Sequence, residues 1–300
     1  MRGANRFEEI LTAKFSSFNF FQRVKEGSRH VLPNAATANT LLAPIEQPAA
    51  VVERAHGRGP LVVACEHASN VFPESVDRLG LPADACDGHF AWDPGALPLA
   101  RRISAAFDAP LVAARFSRLV YDVNRPPEAP DAIRQRYDRG DVPGNQQLTA
   151  EQRAQRVDEL YKPFRRLLKE VLDNAVGSGA AALVTVHSFT PVFEGRRRAV
   201  ELGLLHDADA RMVDAMLPQA AAVTGLNTAR NEPYGPADGV THTLVVDALP
   251  RNLPNVMLEL RSDLLAEESV FERVSASIVA LLKIGLAAIG SAASAPEKEA

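Results

Sequence analysis

Cysteine is nearly absent from this chain of 300 residues: there are two, Cys65 and Cys86, and neither belongs to a C-x-x-C pair. Two thiols build neither a disulfide framework nor a thiol-rich metal site. They fit a reducing compartment, and a cytoplasmic protein is expected. A dominant charge is lacking as well. The 33 Lys and Arg against 37 Asp and Glu leave a net charge of -4, which offers no electrostatic footprint for nucleic acid or an anionic membrane. Long apolar runs are missing: the nearest, ASIVALLKIGLAAIG, contains Lys283 and falls short of the roughly 18 residues that suggest a bilayer span. The N-terminus lacks the basic, apolar and small-residue succession of a secretory signal. There is no G-x-G-x-x-G, no P-loop and no G-x-S-x-G, so dinucleotide binding, P-loop chemistry and the serine nucleophile elbow are set aside. No nucleic-acid or membrane partner is expected, and the oligomeric state is not legible.

What is there reads as one large domain. Residues 1–50 have weak periodicity and are expected to form a peripheral or poorly ordered arm. Residues 51–290 are expected to form a single domain, and 291–300 a disordered tail. Within the domain, apolar runs alternate with amphipathic helices. PLVVACEH, APLVAARFS, LVYDVN, AALVTVHS, VELGLLHD and NVMLELRSD read as strands. Helices are expected after Asp93-Pro94, from Thr149 to Val176, from a cap at Asp207 to about Val223, and from Glu267 to Leu286. This alternation predicts an α/β fold: a central mixed, mainly parallel sheet flanked by helices on both faces. Such sheets bind ligands beyond the carboxyl ends of their strands.

Three strand ends carry the informative residues: Glu66-His67, His187-Ser188 and Glu259-Leu260-Arg261. Either histidine alone reads as a hydrogen-bonded structural residue. Together, at the ends of two central strands and with a carboxylate, they have the makings of a catalytic zinc site, which uses three protein ligands and leaves a position for water. Cys65 reads as a buried strand residue, Cys86 as a loop residue, and HDAD at His206 as a helix cap. Arg196-Arg197-Arg198 reads as a solvated loop. SRLVYDVNRP places Arg118, Asp122, Asn124 and Arg125 within eight positions, either as bidentate carboxylate binders or as an ion pair before a turn. NEPYGPADGVTHT is a loop holding Asn231, Tyr234 and His242, in a position suited to a lid.

In series, CEHASN, AWDPGA, SRLVYDVNRP, VTVHSFTP, NEPYGPADGVTHT and VMLELRSDL resemble the motifs of the N-formylglutamate amidohydrolase family, from about residue 60 to 265. The resemblance implies a fold similar to the zinc-dependent exopeptidase (phosphorylase/hydrolase-like) group. It implies a divalent metal, zinc first, held by His67, Asp93 and His187, with Glu66 as the alternative to Asp93. Glu259 would be the general base and acid, and His242 a donor to the oxyanion. Arg118, Asn124, Arg125, Arg261, Asn231 and Tyr234 would bind a small anionic N-acyl amino acid such as N-formylglutamate. Peptide or cell-wall amides, or ligand binding without turnover, are the alternatives. Family deformylases typically carry Pro-His-Ser-Gly where this chain has Glu66-His67-Ala68-Ser69, so the local loop differs and the chain reads as a divergent branch.

Overall fold

The computed structural model describes residues 40–293 except 139, 180 and 181. Seven strands form its main sheet: β1 (Ala50–Glu53), β2 (Leu61–Cys65), β3 (Leu111–Ala114), β4 (Ala182–Phe189), β5 (Leu202–Leu205), β6 (Thr228–Arg230) and β7 (Asn255–Arg261), in the order β1-β3-β2-β4-β7-β5-β6. The central β3, β2, β4 and β7 are mutually parallel. At the edges β1 runs antiparallel to β3, β5 runs antiparallel to β7, and β6 is parallel to β5. This is the mixed, mainly parallel α/β sheet read from the sequence.

The pleat sends alternate side chains to opposite faces. Leu61, Val63 and Cys65 of β2, with Val256, Leu258 and Leu260 of β7, pack against α1 (Ala96–Phe107), α4 (Arg211–Thr224) and α5 (Glu268–Ala293). Val62, Ala64 and Met257 pack against α3 (Lys162–Gly177). Phe164 and Leu168 of α3 are fully buried, each stabilising the domain by about 1.5–3 kcal/mol. The long helix expected from Thr149 is α2 (Ala150–Arg156), a π-helical turn (Val157–Tyr161) and then α3. It begins where expected because Thr149 Oγ1 accepts from Gln152 N while Gln152 Oε1 accepts from Thr149 N, a reciprocal cap. Over Glu268–Gly290, α5 has the length and mean hydropathy, 1.6, of a helix able to cross a membrane. Its Val274, Ile278, Leu281 and Leu282 are buried in the core on the α1 and α4 side.

Three expectations are corrected. Residues 40–50 belong to the domain rather than to an arm. The Leu41 and Leu42 amides donate to the two Glu159 carboxylate oxygens at 2.9 and 2.8 Å, their side chains are buried, and β1 closes one sheet edge. The expected arm over 1–39 and tail over 294–300 lie outside the described residues. LVYDVN is a chain of turns, not a strand: Val120 N donates to Ser117 O, Arg125 N to Asp122 O, and Asn124 N to Asp122 Oδ1. Its alternation misleads because Val120, Tyr121 and Val123 are buried without a sheet neighbour. The helix expected from a cap at Asp207 starts at Arg211, with Ala210 at the N-cap and no side-chain cap; Asp209 Oδ1 accepts from Arg211 N just ahead of it, whereas Asp207 accepts from Thr241 Oγ1.

Candidate metal centre and active site

The parallel strands β2, β4 and β7 deliver their carboxyl ends side by side. Glu66 and His67 follow β2, and His187 on β4 stands directly beside Glu259 on β7 in register. Asp93 joins them because its backbone N–H donates to His67 O at 3.0 Å. The chain then turns sharply through Gly95, whose φ is +82°, a region favourable to glycine. A Cβ there would lie 2.4 Å from Leu265 Cβ.

Three ligand atoms converge. His67 Nδ1 and Asp93 Oδ2 are 3.1 Å apart, His187 Nδ1 and Asp93 Oδ2 are 2.9 Å apart, and the two Nδ1 atoms are 3.1 Å apart. The other ring nitrogens face buried carboxylates: His67 Nε2 lies 2.7 Å from Asp122 Oδ1, and His187 Nε2 lies 3.3 Å from Glu66 Oε2. Asp122, hydrogen-bonded to His67 Nε2, holds that ring's proton there and turns its Nδ1 lone pair inward, as around metal-ligating histidines, whereas Glu66 stands beside His187 Nε2 as an ion-pair partner without a hydrogen bond. With both rings neutral, as a metal would require, two nitrogen lone pairs and a carboxylate oxygen would meet in one place, and a cation would relieve their repulsion. Tetrahedral ligands at about 2.0–2.1 Å from zinc sit about 3.3 Å apart, so the triangle is close to the right size. His67, Asp93 and His187, all buried, can hold a metal ion. Glu66 is thereby placed behind His187 rather than in Asp93's position.

Charge is balanced around the triangle. Burial alone would raise the Glu66 carboxyl, but the facing His187 outweighs it and brings the pKa down to about 2. Burial likewise works against His187 as a cation, yet Glu66 and Asp93 hold its pKa well above the usual range. Arg118 donates from Nη1 to Asp93 Oδ1 at 3.3 Å and from Nη2 to Asp122 Oδ2 at 2.7 Å. Against their burial, His67 and Arg118 keep both carboxyls ionised well below the usual range. Glu259 moves the other way. Burial lifts its pKa to about 7, opposed by His187 and assisted by the Asp93 charge. Its Oε2 is buried and has no hydrogen-bond partner among the described residues. A carboxyl poised near neutrality on the wall of a cavity is suited to moving protons.

The profile of the N-formylglutamate amidohydrolase family matches residues 59–266. The chain belongs to that family. In the family's frame two solved structures are similar. The Agrobacterium tumefaciens gene product Atu2144 is 45% identical, covering 83% of this chain and 99% of its own, with a TM-score of 0.80. N-formylglutamate amidohydrolase from Ralstonia eutropha JMP134 is 19% identical, covering 81% of this chain and 98% of its own, with a TM-score of 0.63. The second shows a shared fold. No curated protein matches the sequence significantly.

This family member brings some of the remaining sequence candidates into the cavity and keeps others out. Arg118, Asn124, Arg125 and Tyr234 line it. Asn124 also holds the 240–243 loop: its Nδ2 donates to Val240 O, and its Oδ1 accepts from Thr243 N and Oγ1. The Arg125 guanidinium is engaged by Asp131 and by the carbonyls of Asn124, Asp238 and Gly239. The loop expected as a lid is thus tied down at its far end. Arg261 does not line the cavity. It donates to Asp263, Glu201 and Arg198 O, because the sheet pairs it next to these acids rather than to open space. Asn231 does not line it either; its φ is +49° and its Oδ1 accepts from His206 N, bracing a turn. His242 is likewise outside the lining, with its ring stacked on Tyr161 and Nε2 2.9 Å from that hydroxyl. Its expected contact with an oxyanion is not supported by this placement. Among the described residues His206 joins no metal-ligating group; its Nδ1 bonds Asp207 O.

Several lining residues were not visible in the sequence. Arg134 reaches the cavity from a loop rich in proline and charge, and Phe90, Phe189 and Phe193 add apolar lining. Arg198, from the arginine run read as a solvated loop, is half-buried among rings. No spacing signals such placements, since the cavity brings together segments far apart in the chain.

Proposed function

We propose that this protein is a metal-dependent amidohydrolase that cleaves the amide of a small N-acyl amino acid, formyl derivatives among them. The converging triangle of His67 Nδ1, Asp93 Oδ2 and His187 Nδ1, beside a buried carboxyl at Glu259, carries the reading. When bound, a divalent cation lowers the pKa of water toward about 7 and polarises a carbonyl oxygen. Zinc suits two imidazoles and one carboxylate with room for a further ligand. Glu259 takes the proton of the attacking water and returns it to the departing amine. Asp122 orients the His67 ring, Glu66 pairs electrostatically with His187, and Arg118 braces Asp93 and Asp122. The cavity, about 330 Å³, lies at the small end of ligand sites and favours a small molecule over a polymer.

The test is elemental analysis of purified protein followed by hydrolysis assays across N-formyl and N-acetyl amino acids. One zinc per chain is expected, lost in His67→Ala and His187→Ala together with turnover. Full metal content in both variants would remove this site.

A further inference from the structure

The cavity beside Glu259 has two unlike walls. Phe189, Phe193 and Tyr234, gathered around Arg198, form one, and Phe90 and Val240 add further apolar lining. Arg198 stands behind it: its guanidinium carbon is 5.3 Å from the Phe189 ring centre, 4.8 Å from that of Phe193 and 4.9 Å from that of Tyr234. Its Nη1 also donates to the Tyr234 hydroxyl at 2.9 Å. Arg198 itself does not line the cavity, so its charge braces the rings from outside while they offer an apolar surface within. Phe193 sits on the hairpin Val192–Phe193/Arg196–Arg197 and is 47% exposed, which leaves apolar area for a ligand to cover.

The other wall is polar, and its charges do not suit a dianion. Three arginines face five carboxylates across the lining. Arg118 is engaged by Asp93 and Asp122, and Arg125 by Asp131 and backbone carbonyls. Arg134 differs: Arg118 and Arg125 are ion-paired to aspartates, whereas Arg134 has no ion pair among the described residues, and its Nε, like that of Arg118, is buried without a hydrogen-bond partner. A divalent cation in the triangle would only balance the carboxylates, so the lining has no positive excess and each further anionic group on a ligand is less favourable than the one before.

We infer that the substrate is an N-acyl amino acid with one carboxylate, held by Arg134, and an apolar or aromatic group laid on the Phe189–Phe193–Tyr234 wall. An N-acyl dicarboxylic amino acid would place its second carboxylate against rings or acids, at a desolvation cost. This inference rests on the amidohydrolase reading, and binding separates the two. Titration calorimetry of zinc-loaded Glu259→Gln protein with N-formylphenylalanine and N-formylglutamate is the measurement. The phenylalanine derivative is expected to bind at least about tenfold tighter, a difference of about 1.4 kcal/mol. Phe193→Ala should erase most of that margin, and Arg134→Gln should weaken the phenylalanine derivative about tenfold or more. Equal or tighter binding of N-formylglutamate, no binding of either ligand, or a margin untouched by Phe193→Ala overturns the inference. Wild-type protein that binds N-formylphenylalanine in this way without hydrolysing it upholds the pocket assignment and defeats the amidohydrolase reading.

Discussion

At the Glu259 carboxyl, burial outweighs the attraction of His187 and lifts the pKa to about 7. On the proposed mechanism this carboxyl must be deprotonated to accept, so kcat/KM is expected to fall as pH drops through that pKa. A bound cation adds positive charge nearby and moves the limb below 7. Glu259→Gln keeps the shape but not the proton acceptor. It is expected to retain metal and fold, to lose about 10²–10⁴-fold in kcat, and to abolish the acid limb attributed to this carboxyl. Steady-state pH profiles with parallel metal analysis check this. Glu66 acts one step further back, through the His187 ring. Glu66→Gln removes a buried negative partner and leaves the triangle intact, so metal affinity is expected to fall about 10–100-fold. Competition with a chromophoric chelator measures it, and an unchanged affinity would leave Glu66 with no part in orienting His187. The two histidines were legible in the sequence because strand ends place chemistry in this architecture. The roles of Glu66 and Asp122 were not, because a carboxylate beside a histidine in sequence says nothing about which ring it faces in space.

At the level of elements, β5 and β7 meet with Gly203 opposite Glu259. A Cβ at Gly203 would lie 2.1 Å from Glu232 O and 3.1 Å from Glu259 Cβ, so the neighbouring backbone would have to move. Gly203→Ala is expected to destabilise the domain by about 1–3 kcal/mol through overpacking. It should also lower kcat by displacing Glu259. Urea unfolding midpoints and kcat test both effects, and a variant with unchanged stability and activity would show that the strand pair yields freely. Strands and helices with strong periodicity were read correctly, including the start of α2 at its Thr149 cap. LVYDVN was read as a strand because alternation alone cannot distinguish a pleated segment from turns buried on several sides. The missing information is the hydrogen-bond partner: Asp122 N donates to Ala132 O in another loop, not to a strand.

Across the whole molecule, the domain begins before its family match. Leu41, Leu42 and Ala50 are buried, and the Glu159 carboxylate receives two backbone N–H groups from this segment. Deleting residues 1–53 removes those contacts and edge strand β1, whereas deleting 1–39 leaves them. With about 1.5–3 kcal/mol for each buried leucine and about 2–4 °C per kcal/mol for a domain of this size, the longer deletion is expected to melt at least about 10 °C below the shorter. Differential scanning calorimetry of the two truncations decides it, and equal melting temperatures would return residues 40–50 to the status of an arm.

The sequence by itself determined the class of fold, the family and the identity of the residues at the three strand ends. Those follow from local periodicity and from short motifs, which neighbouring residues carry intact. Only the tertiary structure decided that Asp93 rather than Glu66 completes the triangle, that Arg261, Asn231 and His242 face away from the cavity, and that Arg134 and the aromatic wall face into it. Each of these depends on which distant segments pack together and where a side chain points once they do. That is settled by burial and by satisfying every buried charge and N–H group at once, a condition on the whole chain that no short stretch contains.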